Sequence, residues 1–285
     1  MTGIISVITQ SLILSIMALG IYISYKILDF PDLSVDGSFS LGGAIIALSL
    51  TNGLSPITGT LLALICGLTS GLVTGILHIK FKISNLLSGI LVMGMLYSIN
   101  LGIMGTSNIP LFTYDNLFNG RISPLALAVL LVLSCKIILD LFLNTGIGYT
   151  LKAVGDNPQM IKSLGINIDL IKILGLMLSN GLVALSGSLF AQFQGFADVN
   201  MGIGTLILGI ASIIIGTSMF KKSKFIKATT STLVGAFIYQ FTIYFAISLG
   251  IVPPNYLKLI TSLVIILFLS IGNLNIFSNK KSVHI

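Results

Sequence analysis

The stretch Gly37–Leu77 reads GSFSLGGAIIALSLTNGLSPITGTLLALICGLTSGLVTGIL and holds no charged residue. A helix that crosses a bilayer needs roughly 20 consecutive apolar residues, so this run is too long for one span. Asn52-Gly53-Leu54-Ser55-Pro56 interrupts it with turn chemistry, in which Asn and Gly accept positive φ and Pro opens a helix rather than continuing one. Two helices are predicted, near Ser38–Thr51 and Ile57–Ile79. The first is short for a span and contains Gly42-Gly43.

The same reading extends in both directions. Met1 to Tyr25 is uncharged and Lys26 follows it. A secretory signal places its basic residues before the apolar run, so this segment is read as an uncleaved first helix, about Ile4 to Leu28. Downstream, helices are predicted over Ile83–Gly105, Pro124–Asn144 (despite Lys136 and Asp140 near its end), Asp169–Phe193, Ile203–Phe220, Ile226–Leu249 and Leu257–Phe277. The expected count is nine, within a range of eight to ten. The fold class is therefore all-α, a polytopic membrane helix bundle forming one domain over 1–285.

Composition excludes the alternatives. Of 285 residues, 55 % are hydrophobic and 8 % charged, with mean hydropathy +1.06. Soluble domains carry about 25 % charge, and disordered chains need low hydrophobicity. The formal net charge is +7, from fourteen Lys and one Arg against eight Asp and no Glu. On a soluble protein that surplus would point to nucleic acid. On a chain this apolar it marks the cytoplasmic loops instead.

The lysines fall accordingly. His78/Lys80/Lys82, Lys152/Lys162/Lys172, Lys221/Lys222/Lys224/Lys227 and Lys280/Lys281 lie at alternate ends of successive predicted helices. All four groups can share one side, which the positive-inside rule makes cytoplasmic. The C-terminus is then inside and, with nine spans, the N-terminus outside. The protein is expected in the plasma (inner) membrane, surrounded by lipid, with no nucleic-acid partner.

Catalytic chemistry is missing from the pattern. Cys66 and Cys135 lie in apolar stretches and read as packed small hydrophobes. His78 and His284 lack metal-ligand spacing, so no metal site is expected. No G-x-x-x-x-G-K-[ST] segment occurs, so the chain does not bind ATP by that device and no cofactor is expected. Every Asp falls near a predicted helix end or in a loop, which weighs against a proton-driven carrier, because such carriers place ionisable groups in mid-span. Gly67-x-x-x-Gly71-x-x-x-Gly75 lines one helix face and predicts close approach of another helix.

The most polar internal segment runs from Asn144 to Lys172. Gly155-Asp156-Asn157-Pro158 is turn chemistry, with Asp156 or Asn157 able to cap a helix that begins at Pro158. Gly165 is placed to end that helix. The loop lies on the lysine side, and its apolar Met160, Ile161 and Leu164 suit docking into a groove on a partner. A plain surface loop is the other reading.

Ala153-Val154-Gly155-Asp156-Asn157-Pro158, followed by Ser163-Leu164-Gly165-Ile166-Asn167, resembles the cytoplasmic motif of ATP-binding-cassette importer permeases of the branched-chain amino acid and ribose type. Leu178-Ser179-Asn180-Gly181-Leu182, Leu185-Ser186-Gly187-Ser188, Asp198-Val199-Asn200-Met201-Gly202 and the glycine-containing helix to Gly216 continue the resemblance. Leu28-Asp29-Phe30-Pro31-Asp32-Leu33-Ser34-Val35-Asp36-Gly37-Ser38-Phe39 is similar to a subgroup that includes tryptophan or tyrosine importers. The resemblance implies a type II importer-like permease, the membrane subunit through which a small solute passes, an amino acid in the first instance. It implies as partners an extracytoplasmic solute-binding protein, a separate ABC ATPase subunit that uses the ATP, and a second permease copy. It also makes 145–168 the coupling loop, with Ala153, Gly155, Asp156, Asn157, Pro158, Leu164 and Gly165 as its core. This chain itself would be no enzyme.

Contacts with solute are harder to place. Asp36 and Ser38 open a short glycine-containing helix whose N-terminus can hold a carboxylate; a capped, solvated helix entry is the alternative. Asp29, Asp32 and Asp36 would repel one another unless solvated or paired with Lys26. Asn100, Asn180 and Gln240 are amides within helices, expected either to bond across helices or to line the pathway. Asp115, Arg121 and Asp198 fall on the outer side, where a binding protein could dock. An autonomous carrier or channel that needs no ATPase is the competing class, and a membrane enzyme the remotest.

Overall fold

The computed structural model describes residues 2–120, 122–220 and 226–248, together with Leu259, Ser262, Leu263 and Ile266. The charge-free runs are helical. They are α1 (Thr2–Ile21), α2 (Ser34–Thr51), α3 (Pro56–Ile79), α4 (Asn85–Met104), α5 (Pro124–Leu143), α8 (Ile168–Gln194), α9 (Thr205–Met219) and α10 (Ala228–Ser248). Two short helices, α6 (Gly146–Asp156) and α7 (Pro158–Ser163), join α5 to α8. Among the described residues six helices are long and apolar enough to cross a membrane, and α9 is a shorter apolar one. Eight of the nine expected spans thus have a helix. The ninth, Leu257–Phe277, lies outside the described residues except for its four helical positions Leu259, Ser262, Leu263 and Ile266. Arg121 also lies outside them.

Local chemistry sets the boundaries. Ser55 accepts from the Thr58 N–H at 3.3 Å with Pro56 at the first helical position of α3, and Ser123 with Pro124 repeats the device at α5. The first helix departs from its predicted form. After Ile21 the chain winds one π-helical turn, Tyr22–Ile27, and leaves the helix near Leu28. Such turns mark places where a helix is perturbed by its surroundings. The connections between α4 and α5 and between α8 and α9 contain a short antiparallel pair, β1 (Asn108–Pro110) and β2 (Phe196–Asp198), with Asn108 opposite Asp198.

Packing radiates from α2 and α8. In α2, 78 % of the residues along its span are buried, against 17 % in α5, so α2 is enclosed while α5 lies at the surface of the bundle. Helix α8 packs against α1, α2 and α3. Where α3 crosses α8, a Cβ on Gly67 would lie 2.5 Å from the Ala184 Cβ, and one on Gly71 would run into the Leu176 carbonyl. Backbones this close exclude side chains from the seam.

One end of the bundle collects the described basic residues. Phe30 meets His78 edge-on at 5.1 Å, which brings the α1–α2 connection to the C-terminal end of α3. Lys227, just before α10, bonds Asp140 near the end of α5. The loop with Lys152 and Lys162 packs at the same end, against Ile27 and Leu28. The β1–β2 pair closes the opposite end.

Candidate functional site

The polar groups of this bundle converge on α8. Asn180 stands at the middle of that helix and is wholly buried. Its Nδ2 donates to Asp32 Oδ2 at 2.8 Å, and its Oδ1 accepts from Ser38 Oγ at 2.6 Å. Ser34 donates to Asp32 Oδ1 through both its backbone N–H (2.8 Å) and its hydroxyl (2.6 Å). Thr74 donates to the Ser34 hydroxyl at 3.0 Å, and the hydroxyls of Ser38 and Ser70 lie 2.7 Å apart. Three helices and one connection are thereby tied through six side chains.

Asp32 alters an expectation. By sequence it belongs to a connection, yet it is fully buried inside the bundle. It has no ion-pair partner among the described residues, and neither Asp29 nor Asp36 pairs with Lys26 there. The carboxyl is held entirely by neutral donors. A buried ionisable group must be compensated in this way or shift its charge. Asp29 is exposed, with φ 53°, whereas Asp32 is buried.

Asp36 does different work. Oδ2 accepts from the Gly204 N–H at 2.9 Å, and Oδ1 accepts from the Leu206 N–H and the Thr205 hydroxyl, both at 2.8 Å. Helix α9 has no side-chain cap from its own N-cap residue, Gly204. Asp36 supplies that cap from a neighbouring helix, satisfying N–H groups that a helix start leaves free. The segment before α9 is drawn inward as well, since the Gly202 N–H donates to Ser40 Oγ at 3.0 Å.

Of the other predicted pathway residues, Asn100 joins the margin of this polar seam. It is fully buried and donates from Nδ2 to the Gly37 carbonyl at 3.2 Å. Its Oδ1 has no partner among the described residues. Gln240 stands apart on α10. At the opposite end, Asp198 accepts from Asn108 Nδ2 at 3.3 Å and from the Asn200 N–H at 2.7 Å. Asp115 lines a cleft with Tyr114, Leu54 and Ser55.

The second part of the site is the loop between α5 and α8. Thr145 caps α6, accepting from the Gly148 N–H at 3.2 Å. Asn157 ends α6 and caps α7, accepting from the Met160 N–H at 3.1 Å, with Pro158 as the first residue of α7. Gly165, at φ 75°, turns the chain after α7. Leu151, Val154 and Ile161 are buried in the main core, whereas Met160 (58 % exposed) and Leu164 (63 %) project outward. Asp156, Asn157 and Pro158 are exposed beside them. Gly155 faces the other way, because a Cβ there would strike the Ile27 carbonyl. The loop is rooted on the π-helical end of α1 and offers an apolar knob to the surroundings.

Sequence reasoning picked out Asn180, Ser38 and the loop. It missed Asp32, Ser34, Ser70 and Thr74 as partners. A signal was present: Ser34/Ser38 and Ser70/Thr74 are each four residues apart, which stacks both hydroxyls on one helix face. The tie between Gly155 and Ile27 has no sequence signal, since nothing local relates residues so far apart.

Residues 3–269 match the family described as Branched-chain amino acid transport system / permease component. The chain is 73 % identical over 282 residues to the Tyrosine transport system permease protein of Clostridioides difficile (strain R20291), covering 99 % of this chain and 95 % of that one. It is 37 % identical over 276 residues to the Uncharacterized protein RP368 of Rickettsia prowazekii (strain Madrid E), covering 95 % and 98 % respectively. The Autoinducer 2 import system permease protein LsrC of Yersinia pseudotuberculosis serotype IB (strain PB1/+) is 27 % identical over 218 residues, which are 74 % of this chain and 59 % of that one.

Proposed function

Because the chain belongs to the Branched-chain amino acid transport system / permease component family, we propose that it forms the pathway of an importer carrying an aromatic amino acid, tyrosine first, driven by a separate ATPase. As a permease component it is a non-catalytic membrane subunit. Tyrosine is the solute in the name of the relative at 73 % identity. An extracytoplasmic binding protein delivers it at the β1–β2 end, where Asp115 and Asp198 offer carboxyls. Two copies of the permease enclose the passage. The lysine-bearing end faces the cytoplasm in the plasma (inner) membrane, as the positive-inside rule requires, so the C-terminus is cytoplasmic.

The observation that carries the ATPase reading is the form of the 145–168 loop. Its inner side is locked to the bundle at Ile27 and Leu28, while Met160 and Leu164 stand free. A short helix with exposed apolar anchors is built to enter a groove. Once docked, the loop moves with the ATPase. Helix α8 leaves the loop without a break and carries Asn180 into the polar seam. The contact at Gly155 drives the α1–α2 connection, which holds Asp32. Both routes end on α2, so loop displacement re-orients α2 as a rigid body, a type of transition in which packed elements switch between discrete arrangements.

Reconstitution tests this. Proteoliposomes holding the permease, the ATPase and the binding protein should accumulate tyrosine only with ATP, and the ATPase should co-purify with the permease. Tyrosine flux through the purified chain alone, without ATP, would make it an autonomous carrier or channel instead.

A further inference from the structure

Helices α5 and α10 both lean on α1, and between them runs a seam with two chemically distinct ends. At the lysine-bearing end a cavity of about 200 Å³ is lined by Tyr22, Asp140, Asn144, Lys152, Lys227 and Thr229. Further along the same three helices, an apolar groove of about 340 Å³ is lined by residues that include Leu12, Val132, Leu133, Leu233 and Phe237. The groove alone reaches the lower size of ordinary small-molecule sites, roughly 300–1,000 Å³. From Leu133 to Asp140, and from Ser15 to Tyr22, the chain advances two helical turns, about 10 Å of rise. The groove therefore lies deeper in the bilayer than the cavity and in line with it.

The cavity is cationic. Asp140 accepts from Lys136 Nζ at 2.9 Å, from Lys227 Nζ at 3.3 Å and from the Thr229 hydroxyl at 2.6 Å. Lys152 Nζ donates to the Leu143 carbonyl at 3.0 Å and stands 5.2 Å from the Tyr149 ring centre. Two ammonium groups bond one carboxyl, and a third, that of Lys152, lines the same cavity. Each ammonium has three N–H donors, and Lys152 and Lys227 keep donors directed away from the bonds just named. The Asp140 carboxyl holds Lys227 and the Leu143 carbonyl holds Lys152 at fixed places on the bundle. Hydroxyl and amide groups of Tyr22 and Asn144 complete a lining suited to an anion.

We propose that this seam binds one anionic phospholipid, its phosphate between Lys152 and Lys227 and an acyl chain in the α1–α5–α10 groove. Charge complementarity selects the occupant: an apolar slot alone takes any hydrocarbon, but a cationic mouth at the interface selects an anionic headgroup. A bound lipid there also tethers α5 and α10 to α6, the first helix of the 145–168 loop.

Native mass spectrometry of the purified full-length permease, after exposure to phosphatidylglycerol or phosphatidylcholine in mixed micelles, tests the assignment. The wild type should retain phosphatidylglycerol several-fold better than phosphatidylcholine. Lys152→Gln with Lys227→Gln should abolish that preference, while Lys152→Arg with Lys227→Arg should keep it. Leu133→Trp, which fills the groove and leaves every lysine in place, should lower retention of phosphatidylglycerol. Lys80→Gln with Lys82→Gln, equal in charge change but away from the seam, should leave retention intact. Equal retention of both lipids, or unchanged retention in the Lys152/Lys227 glutamine variant, overturns the proposal. Displacement of the lipid by inorganic phosphate would make the cavity a free-phosphate site and overturn it too. So would a cysteine cross-link between Val234→Cys in the groove and a cysteine placed in 257–277, which would show the groove filled by the chain itself.

Discussion

Gly155 lies directly on the backbone carbonyl of Ile27, with no room for a β-carbon between them. That approach joins the 145–168 loop to the last turn of the first membrane helix. The next four residues after Leu28 lead to Asp32, and Asp32 leads to Asn180. Gly155→Ala must therefore push α6 off α1. Backbone, unlike the tip of a flexible side chain, yields little, and overpacking of this kind typically costs about 1–3 kcal/mol. Transport in the reconstituted importer should fall at least several-fold while the ATPase continues to hydrolyse ATP. Wild-type transport by this variant would dismiss the contact as a transmitting element.

The outward side of the same loop makes the opposite prediction. Met160 and Leu164 are exposed and contribute little to the fold of the isolated chain. Met160→Ser with Leu164→Ser should change thermal stability by no more than about 0.5 kcal/mol, the usual range for surface substitutions. Co-purification of the ATPase should nevertheless be lost. If the complex survives in full, the docking surface lies elsewhere.

The polar seam is predicted to fail when its centre is removed. Asn180→Ala takes a donor from Asp32 and an acceptor from Ser38, both buried. An orphaned buried polar group costs about 1–3 kcal/mol, more when charged, so a large drop in the melting temperature is expected. Asn180→Asp should be worse than alanine, because it sets a second carboxyl against Asp32. An aspartate variant as stable as the wild type would show that the Asp32–Asn180 hydrogen bond does not hold the seam.

These relationships mark where sequence stops being informative. The Gly37–Leu77 hairpin is legible because span length and turn chemistry act over neighbouring residues. The α6–α7 loop is legible for the same reason, down to Asn157 as the cap of α7. Asp32 is not, because its burial depends on how the connection folds back between α2, α4 and α8. A carboxylate in a loop reads as solvated until the helices that enclose it are in place. The π-helical turn at Tyr22–Ile27 is equally silent, since nothing in YISYKI distinguishes it from an α-helical end. Asp36 occupied a middle ground. Its place at a helix start was evident, but the helix whose N–H groups it satisfies proved to be α9 and not its own.

That borrowed cap gives the last prediction. Helix α9 begins partly buried against the start of α2, where unsatisfied N–H groups are costly. Asp36 serves two of them and the Thr205 hydroxyl. Replacing an N-cap side chain by alanine costs about 0.5–2 kcal/mol, and Asp36→Ala should fall at the upper end because no residue of α9 itself takes over the role. Asp36→Asn retains one acceptor oxygen and should recover part of the loss. The measurement is a pair of thermal melts in detergent, combined with hydrogen exchange at Gly204 to Leu206. Faster exchange confined to that segment in the alanine variant, with partial protection in the asparagine variant, is the expected pattern. Equal protection in all three proteins would mean that the start of α9 is held by packing, and that the Asp36 carboxyl is free to meet a solute.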